Sequence, residues 1–546
     1  MLISVRSLFI LFSLVVFSCL YNKYCSDESA FHIFKRLVLT YLSMFSLYLF
    51  IPKLYKLFLI PFVLVFCFQL ICCFSTGSYI TPLVFENIAY FNDIGHYELL
   101  KIFIILLIIL GSFLSFINIQ VSYKYHIYFI VVFSLLFCIT SLKKTYPVYN
   151  FCKTFYYFYN TNFGEHGSYS GEIFSKNFVS RVNLNDLYYN NTGGVKTSKK
   201  NIIIFFIEGM SERVISSKLT PNLYRLRKNS LFFSNYYNHT AATFRGLRGQ
   251  LISGYQKIGG YYKNQNGVGT MSGRQLKSFY DNQTIESLPS ILNKNGYKSF
   301  FVGPHECNDN LYSLMKLIGF SETKGKCDSS EKMRNDYLPY LTDKETFSLL
   351  KNVISENSSS EFPFFISFYN IQTHHGMIVN EHTYDNSNNE YYNKFYNLDF
   401  YLADFMEWLD FKNYLDNTIV IITSDHSTYS VDLFEKSYNY NSLSKSRFVD
   451  MIPLIIYSKN IKSQRIDVNG RNSLGLAPTV LDLLGINDVS THFLGNSLFD
   501  DKKSYWENLS IVNDCFVYTG DNNVHDLNEI DEDKLRELDL FYRFAM

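Results

Sequence analysis

A surplus of one charge is missing from this sequence. Its 546 residues carry 50 Lys and Arg against 49 Asp and Glu, a formal net charge of +1 at pH 7. That balance offers no basic footprint, so no nucleic-acid partner is expected. Cys-x-x-Cys spacing is missing too. Ten cysteines are present, but none pair at that spacing, which argues against a thiolate zinc site. Proline is scarce, 11 residues against 44 Tyr and 51 Phe. The aromatic excess runs through every part of the chain alongside Asn, Lys and Ile, and is read as compositional bias rather than chemistry.

Two further absences concern the N-terminal part. The apolar run after Arg6 resembles a signal peptide, but no small-x-small cleavage site follows and more apolar runs come after it, so an uncleaved anchor is expected. Residues 75–98 contain no Lys or Arg, which favours an outside placement for that loop. Five apolar runs near the spanning length of about 20 residues lie at 3–21, 37–51, 57–74, 100–119 and 127–142. Residues 1–145 therefore read as a transmembrane domain. Lys53, Lys56 and Lys124 fall on one side of it, and Lys23, Lys35, Arg36, Lys143 and Lys144 on the other, so charge alone does not orient it. Residues 146–200, rich in Tyr, Phe, Asn and Gly, are expected to form an interfacial linker.

From Asn201 the pattern changes to alternating strands and helices, and at this length two or three units are expected. The run Ile202-Ile-Ile-Phe-Phe-Ile207 is wholly β-branched or aromatic and reads as a strand buried on both faces. Thr220-Pro221 opens a helix through Leu226. Further helices are expected at 288–295 and 392–415, with another from Pro478 to Gly485. Strands are expected at 297–302, 364–369, 417–424 and 451–457. Successive βα units of this kind build an α/β domain with a largely parallel, doubly wound sheet.

Ligands in such sheets sit beyond the carboxyl ends of the strands. The first strand ends in Glu208-Gly209, and the strand from Asn417 ends in Asp425-His426. Carboxylates and an imidazole suit a zinc, manganese or magnesium ion. Between them lies Asn238-His-Thr240-Ala-Ala-Thr243-Phe-Arg245-Gly-Leu, ahead of a helix expected over 247–253. A bound cation lowers the pKa of a threonine hydroxyl and makes it a nucleophile, a helix N-terminus favours a phosphate, and Arg245 could clamp phosphate oxygens. His374, past the strand at 364–369, is placed to contact substrate or move a proton. Taken singly, Glu208 reads as well as a helix cap, Thr243 as an N-cap and His374 as a loop histidine. The ordered set carries the weight.

That order resembles the alkaline-phosphatase/sulfatase superfamily, and within it the membrane-anchored phosphotransferases: lipoteichoic acid synthases, phosphoglycerol transferases and lipid A phosphoethanolamine transferases. The matching pieces are Ile-Glu208-Gly-Met, Thr220-Pro-Asn-Leu, Thr243-Phe-Arg-Gly-Leu, Thr373-His374-His375-Gly, Thr423-Ser-Asp425-His426, Ile452-Pro-Leu-Ile, Ala477-Pro-Thr-Val-Leu-Asp-Leu-Leu-Gly and Gly495-Asn-Ser-Leu. The resemblance implies a sulfatase-like catalytic domain over 201–500 and a C-terminal extension over 501–546, read mainly as solvated or peripheral. It implies a divalent metal held by Glu208, Thr243, Asp425 and His426, and a phospho-threonine on Thr243. His374 would bind substrate or transfer a proton, with Arg245, His375 and His305 as substrate contacts. Thr240 competes with Thr243, and His375 with His374; the family pattern Arg-Gly-Leu, and the spacing to Ser253-Gly-Tyr255, favour Thr243.

Implied as well are a phospholipid donor, a cell-envelope glycan or lipid acceptor, and an inner-membrane location. The N-terminus would lie inside and the catalytic domain on the extracytoplasmic side, where Cys307 and Cys327 could pair. The Cys- or Ser-x-Pro-x-Arg signature of true sulfatases is absent, which counts against sulfate-ester hydrolysis. Gly475 stands where relatives carry an Asp before Pro478-Thr479. Hydrolysis of phosphate or sulfate esters, and a catalytically silent membrane scaffold, are the competing expectations.

Overall fold

The structure is a computed structural model that describes residues 135, 176–179, 187–189, 200–256, 286–330, 338–377, 379, 381–386, 389–429, 448–512, 515–520, 524–527 and 530–544. The five expected spans lie outside the described residues except at position 135, and so does most of the expected linker. Among the described residues no helix is long and apolar enough to cross a membrane. The chain divides into two compact units, Met1–His166 with Tyr262–Thr270, and Gly167–Tyr261 with Met271–Met546. The second holds the fold described below.

Its strands are β1 (Lys176–Phe178), β2 (Asn201–Ile207), β3 (Leu231–Ser234), β4 (Lys298–Val302), β5 (Glu322–Lys324), β6 (Phe364–Tyr369), β7 (Thr418–Ser424), β8 (Ile455–Tyr457), β9 (Gln464–Asp467), β10 (Val489–Thr491), β11 (Leu509–Val512), β12 (Cys515–Tyr518) and β13 (His525–Leu527). The helices are α1 (Pro221–Lys228), α2 (Thr243–Ile252), α3 (Leu288–Lys294), α4 (Asn310–Leu317), α5 (Asp343–Asn357), α6 (Glu390–Phe411), α7 (Leu476–Leu483) and α8 (Glu532–Phe544).

Eight strands form the main sheet in the order β5-β4-β6-β2-β7-β8-β3-β9. Every pairing is parallel except those of β8, which runs antiparallel to β7 and β3. The sheet is thus largely parallel, as the alternating pattern predicts. β8 begins later than the expected strand at 451. Pro453 has no N–H for a ladder, and the Ile452 amide instead donates to the Tyr236 carbonyl.

β2 lies between β6 and β7 and is buried from Ile202 to Ile207. Parallel strands covered on both faces need this continuous apolar run. On one face Phe205 meets Phe368 of β6, Phe347 of α5 and Phe405 of α6, at ring separations of 5.0, 5.9 and 5.4 Å. α5 starts with a Thr342–Glu345 capping box, and the Asn389 side chain caps α6. The register sets Ile207 opposite Ser424, and Phe206 opposite Tyr369. Three central strands therefore end at the same level, which brings residues from positions 208, 370 and 425 to one crevice.

The C-terminal extension is not peripheral. Trp506, Leu509, Ile511 and Val517 are buried, and β11, β12 and β13 form an antiparallel sheet. The Ile511 amide donates to the His239 carbonyl, Ser510 Oγ to the Asn238 carbonyl and Thr240 Oγ1 to the Ile511 carbonyl. Charges at 529–534 dominate the composition of this segment, whereas its apolar residues at 506–517 decide where it packs.

Candidate active site and metal centre

Backbone contacts lock the strand ends before any ligand is considered. Ser424 Oγ donates to the Ile207 carbonyl at 2.6 Å and accepts from the Met210 amide at 2.8 Å, tying β2 to β7. Asn370, just past β6, accepts from the Glu208 amide at 3.0 Å, and Thr373 Oγ1 donates to the Glu208 carbonyl at 2.7 Å. Gly209, at φ +56°, turns the chain away in a conformation that disfavours a Cβ. Its amide and that of His426 both donate to Asp425 Oδ1, at 2.9 and 2.8 Å.

Glu208, Asp425 and His426 are each no more than 1% exposed. One ligand atom from each lies within 4.8 Å of the others. His426 Nε2 is 3.3 Å from Glu208 Oε1 and 3.5 Å from Asp425 Oδ2. The His426 Nδ1 is 2.7 Å from the Ser427 carbonyl, an acceptor that holds the ring proton there and leaves Nε2 with a lone pair. Asp425 Oδ2 and His426 Nε2 are buried without a hydrogen-bond partner. Buried polar atoms are normally satisfied, so two orphans facing a third ligand atom fit a divalent cation.

Electrostatics agree with that fit. Burial and then the Glu208 carboxylate push the Asp425 carboxyl up. Burial alone would raise Glu208, but neighbouring His426, with lesser help from His374 and Tyr369, holds it below the usual carboxylate range. Burial opposes charge on His426, yet Asp425 and Glu208 outweigh it and raise its pKa. Two carboxylates in one dry site thus favour positive charge beside them, which a dication at the Nε2 lone pair would supply in place of a ring proton.

Thr243 is the first residue of α2, four positions earlier than the expected start at 247. Its Oγ1 donates to Glu208 Oε2 at 2.9 Å. Ala242 before it adopts φ 77° and ψ 137° and provides no side-chain cap. Such a backbone is strained for a non-glycine residue, as is common where geometry serves chemistry. The first-turn amides of α2 have no intrahelical acceptor and present a site for an anion beside Thr243. α2 reaches this position because Gly246 lets it approach β7: a Cβ there would lie 2.1 Å from the Asp425 carbonyl oxygen.

The paired candidates have different partners. Thr240 Oγ1 donates to the Ile511 carbonyl at 2.8 Å. His374 is half-buried, and its charge acts on Glu208 and His305. His375 is exposed, with Nδ1 2.7 Å from Tyr391 Oη. His305 borders the site, its ring stacked on Tyr369 at 5.8 Å and its buried Nδ1 without a partner. Arg245 is buried in the first turn of α2, where Nε donates to the Ala241 carbonyl at 3.2 Å. Its guanidinium serves the loop before Thr243 in this arrangement.

A family model described as Sulfatase matches residues 200–486, more than half of the chain. The chain belongs to the sulfatase family. Among solved structures it is similar to a protein in the alkaline phosphatase superfamily from Vibrio parahaemolyticus, at 19% identity and a TM-score of 0.49, with 63% of this chain and 86% of that one covered. It is also similar to the lipoteichoic acid synthase LtaP from Listeria monocytogenes, at 17% identity and 0.46, covering 66% and 95%. A third likeness is to the phosphonate monoester hydrolase SpPMH from Silicibacter pomeroyi, at 13% identity and 0.37, covering 57% and 79%. No curated protein matches the chain.

In this sulfatase-family site, sequence reasoning missed Tyr369, Asn370, Ser424 and Gly246. Tyr369 and Asn370 stand at the end of β6, level with the ends of β2 and β7. The same strand-end rule that singled out Glu208 and Asp425 would have found them.

Proposed function

We propose that this sulfatase-family enzyme is a membrane-anchored phosphotransferase. It moves a phosphoglycerol or phosphoethanolamine head group from a membrane phospholipid, through Thr243, to a glycan or lipid of the cell envelope. The observation that carries this reading is the Thr243 hydroxyl, 2.9 Å from Glu208 at the start of a helix. Glu208, Asp425 and His426 would hold the divalent ion, zinc, manganese or magnesium, with Thr243 as a fourth ligand. When bound, that ion lowers the hydroxyl pKa and neutralises charge on the phosphoryl oxygens.

In the first step Thr243 Oγ, whose proton would pass to water as the hydroxyl pKa falls, attacks the phosphorus and the bond from phosphorus to the diacylglycerol oxygen breaks. The leaving oxygen takes a proton, which His374 would give. In the second step the acceptor hydroxyl attacks, the bond from phosphorus to Thr243 Oγ breaks, and the acceptor's proton is returned through His374. Substrate orientation falls to the α2 amides and the His305 edge of the site. The Cys307–Cys327 disulfide supports a catalytic domain on the extracytoplasmic side, because disulfides persist in oxidising compartments.

The test uses the full-length chain in vesicles containing head-group-labelled phosphatidylglycerol or phosphatidylethanolamine. Diacylglycerol release and a labelled Thr243 peptide are expected with one of the two donors. Thr243→Ala should lower the rate by roughly a thousandfold or more, the scale of losing a covalent nucleophile. The family match favours hydrolysis as the second reading. Turnover of a soluble aryl ester at full rate, with no labelled peptide and no transfer product, would establish that reading instead.

A further inference from the structure

Within the strand Phe364-Phe-Ile-Ser-Phe-Tyr369, only the last ring carries a hydroxyl, and it falls where that hydroxyl meets the site. Tyr369 is in register with Phe206 of β2. Side chains two apart along a strand share a face, so Glu208 follows Phe206 on the side that Tyr369 occupies. One strand step is about 3.3 Å, and the length of a tyrosine side chain covers the two steps to the carboxylate. A phenylalanine ring at this position would stop short of it. Phe368, on the opposite face, points into the core against Phe205 and Phe347.

The Tyr369 hydroxyl donates to Glu208 Oε2, the same oxygen that receives the Thr243 hydroxyl. Glu208 Oε1 is left facing His426 Nε2. The carboxylate thus has one oxygen turned to the metal centre and one held by two hydroxyls. Tyr369 is 2% exposed, and its ring is stacked on His305 with only 4° between the planes. A buried ring clamped on its face has little freedom, so the direction of its hydroxyl is set before substrate arrives.

We infer that Tyr369 is a positioning residue for the nucleophile: by holding Glu208 Oε2 it fixes the carboxylate rotamer, and with it the place of Thr243 Oγ and of the cation. This rests on the reading of Thr243 as nucleophile. Partners one layer behind metal ligands typically change affinity or activity by about 10- to 100-fold when removed.

The test is Tyr369→Phe, which keeps the ring on His305 and removes only the hydroxyl, with Thr243→Ala as its companion. Full-length protein in detergent is stripped and reloaded with manganese, and its turnover of bis(p-nitrophenyl) phosphate is followed. Manganese affinity is measured separately, without substrate, by competition with a chromogenic chelator. For Tyr369→Phe we expect kcat to fall about 10- to 100-fold, KM to stay within about twofold, and manganese binding to weaken by about tenfold. An unchanged kcat beside an inactive Thr243→Ala overturns the role of Tyr369 and leaves the nucleophile standing. A raised KM with unchanged kcat overturns it as well, since the phenol would then be touching substrate. A fully active Thr243→Ala overturns the nucleophile and the inference together.

Discussion

Asp343 and Lys394 lie one layer behind Glu208 and His374, and burial decides the charge of both. Asp343 Oδ1 accepts from Asn370 Nδ2 at 3.1 Å, and Asn370 in turn holds the Glu208 amide. Lys394 Nζ donates to the His374 carbonyl at 3.0 Å and lies 3.9 Å from the centre of the Tyr391 ring. Burial pushes the Asp343 carboxyl up to about 7 and the Lys394 ammonium down to about 7. Between an unfolded pKa of about 4 and the folded value, native Asp343 keeps a proton that the unfolded chain has lost. Its contribution to stability is therefore full below pH 4 and is lost as pH rises toward 7. Lys394 acts in the opposite direction above pH 7, where the folded chain sheds its proton first and stability rises with pH. Asp343→Asn should flatten the decline between pH 4 and 7, read as melting temperature against pH beside the wild-type chain. An unaltered slope would show that another group titrates there.

At the scale of elements, α2 decides most of the site. The sequence reading starts this helix at 247, just after Gly246. The glycine instead lies inside the first turn, where close approach to the Asp425 carbonyl leaves no room for a Cβ. Gly246→Ala should cost ~1–3 kcal/mol of stability, the usual scale for overpacking. Because α2 carries Thr243, kcat should fall as well, in step with weakened cation binding; melting curves and steady-state rates on one preparation check both. The strand ends were legible because buried parallel strands read as apolar runs and their last residues face the crevice. The role of β11 was not legible. Its hydrogen bonds to His239 and Thr240 join positions some 270 residues apart, and no local pattern encodes such a pairing.

For the molecule as a whole, the Cys307–Cys327 bond joins positions 20 apart in sequence, one just after His305 and the other next to Lys326. The Lys326 amide and the Tyr312 hydroxyl both bond the His305 carbonyl, at 2.8 and 3.1 Å, so the cross-link and the edge of the site belong to one structural piece. A loop of this size typically gains ~2–4 kcal/mol from its disulfide. Cys307→Ala/Cys327→Ala should therefore melt several degrees lower than the oxidised chain, and reductant should lower the wild type but not the double variant. Equal melting temperatures with and without reductant would remove the disulfide from the account of stability. The pairing was open in the sequence, since ten cysteines allow many partners and only folding brings β4 and β5 side by side.

By itself, the order of residues determined the α/β class, the buried strands and the chemical inventory of the site. Long apolar runs, and the acids and histidines that end them, are local features that survive in one dimension. Only the tertiary structure put the Thr243 hydroxyl on Glu208 and the Thr240 hydroxyl on the Ile511 carbonyl. Thr240 and Thr243 differ by three positions, so composition cannot separate them. The direction of each side chain can, and that direction is set by contacts from distant parts of the chain: the Ile511 carbonyl claims Thr240, and the register of β2 between β6 and β7 brings Tyr369 and Asp425 to Glu208.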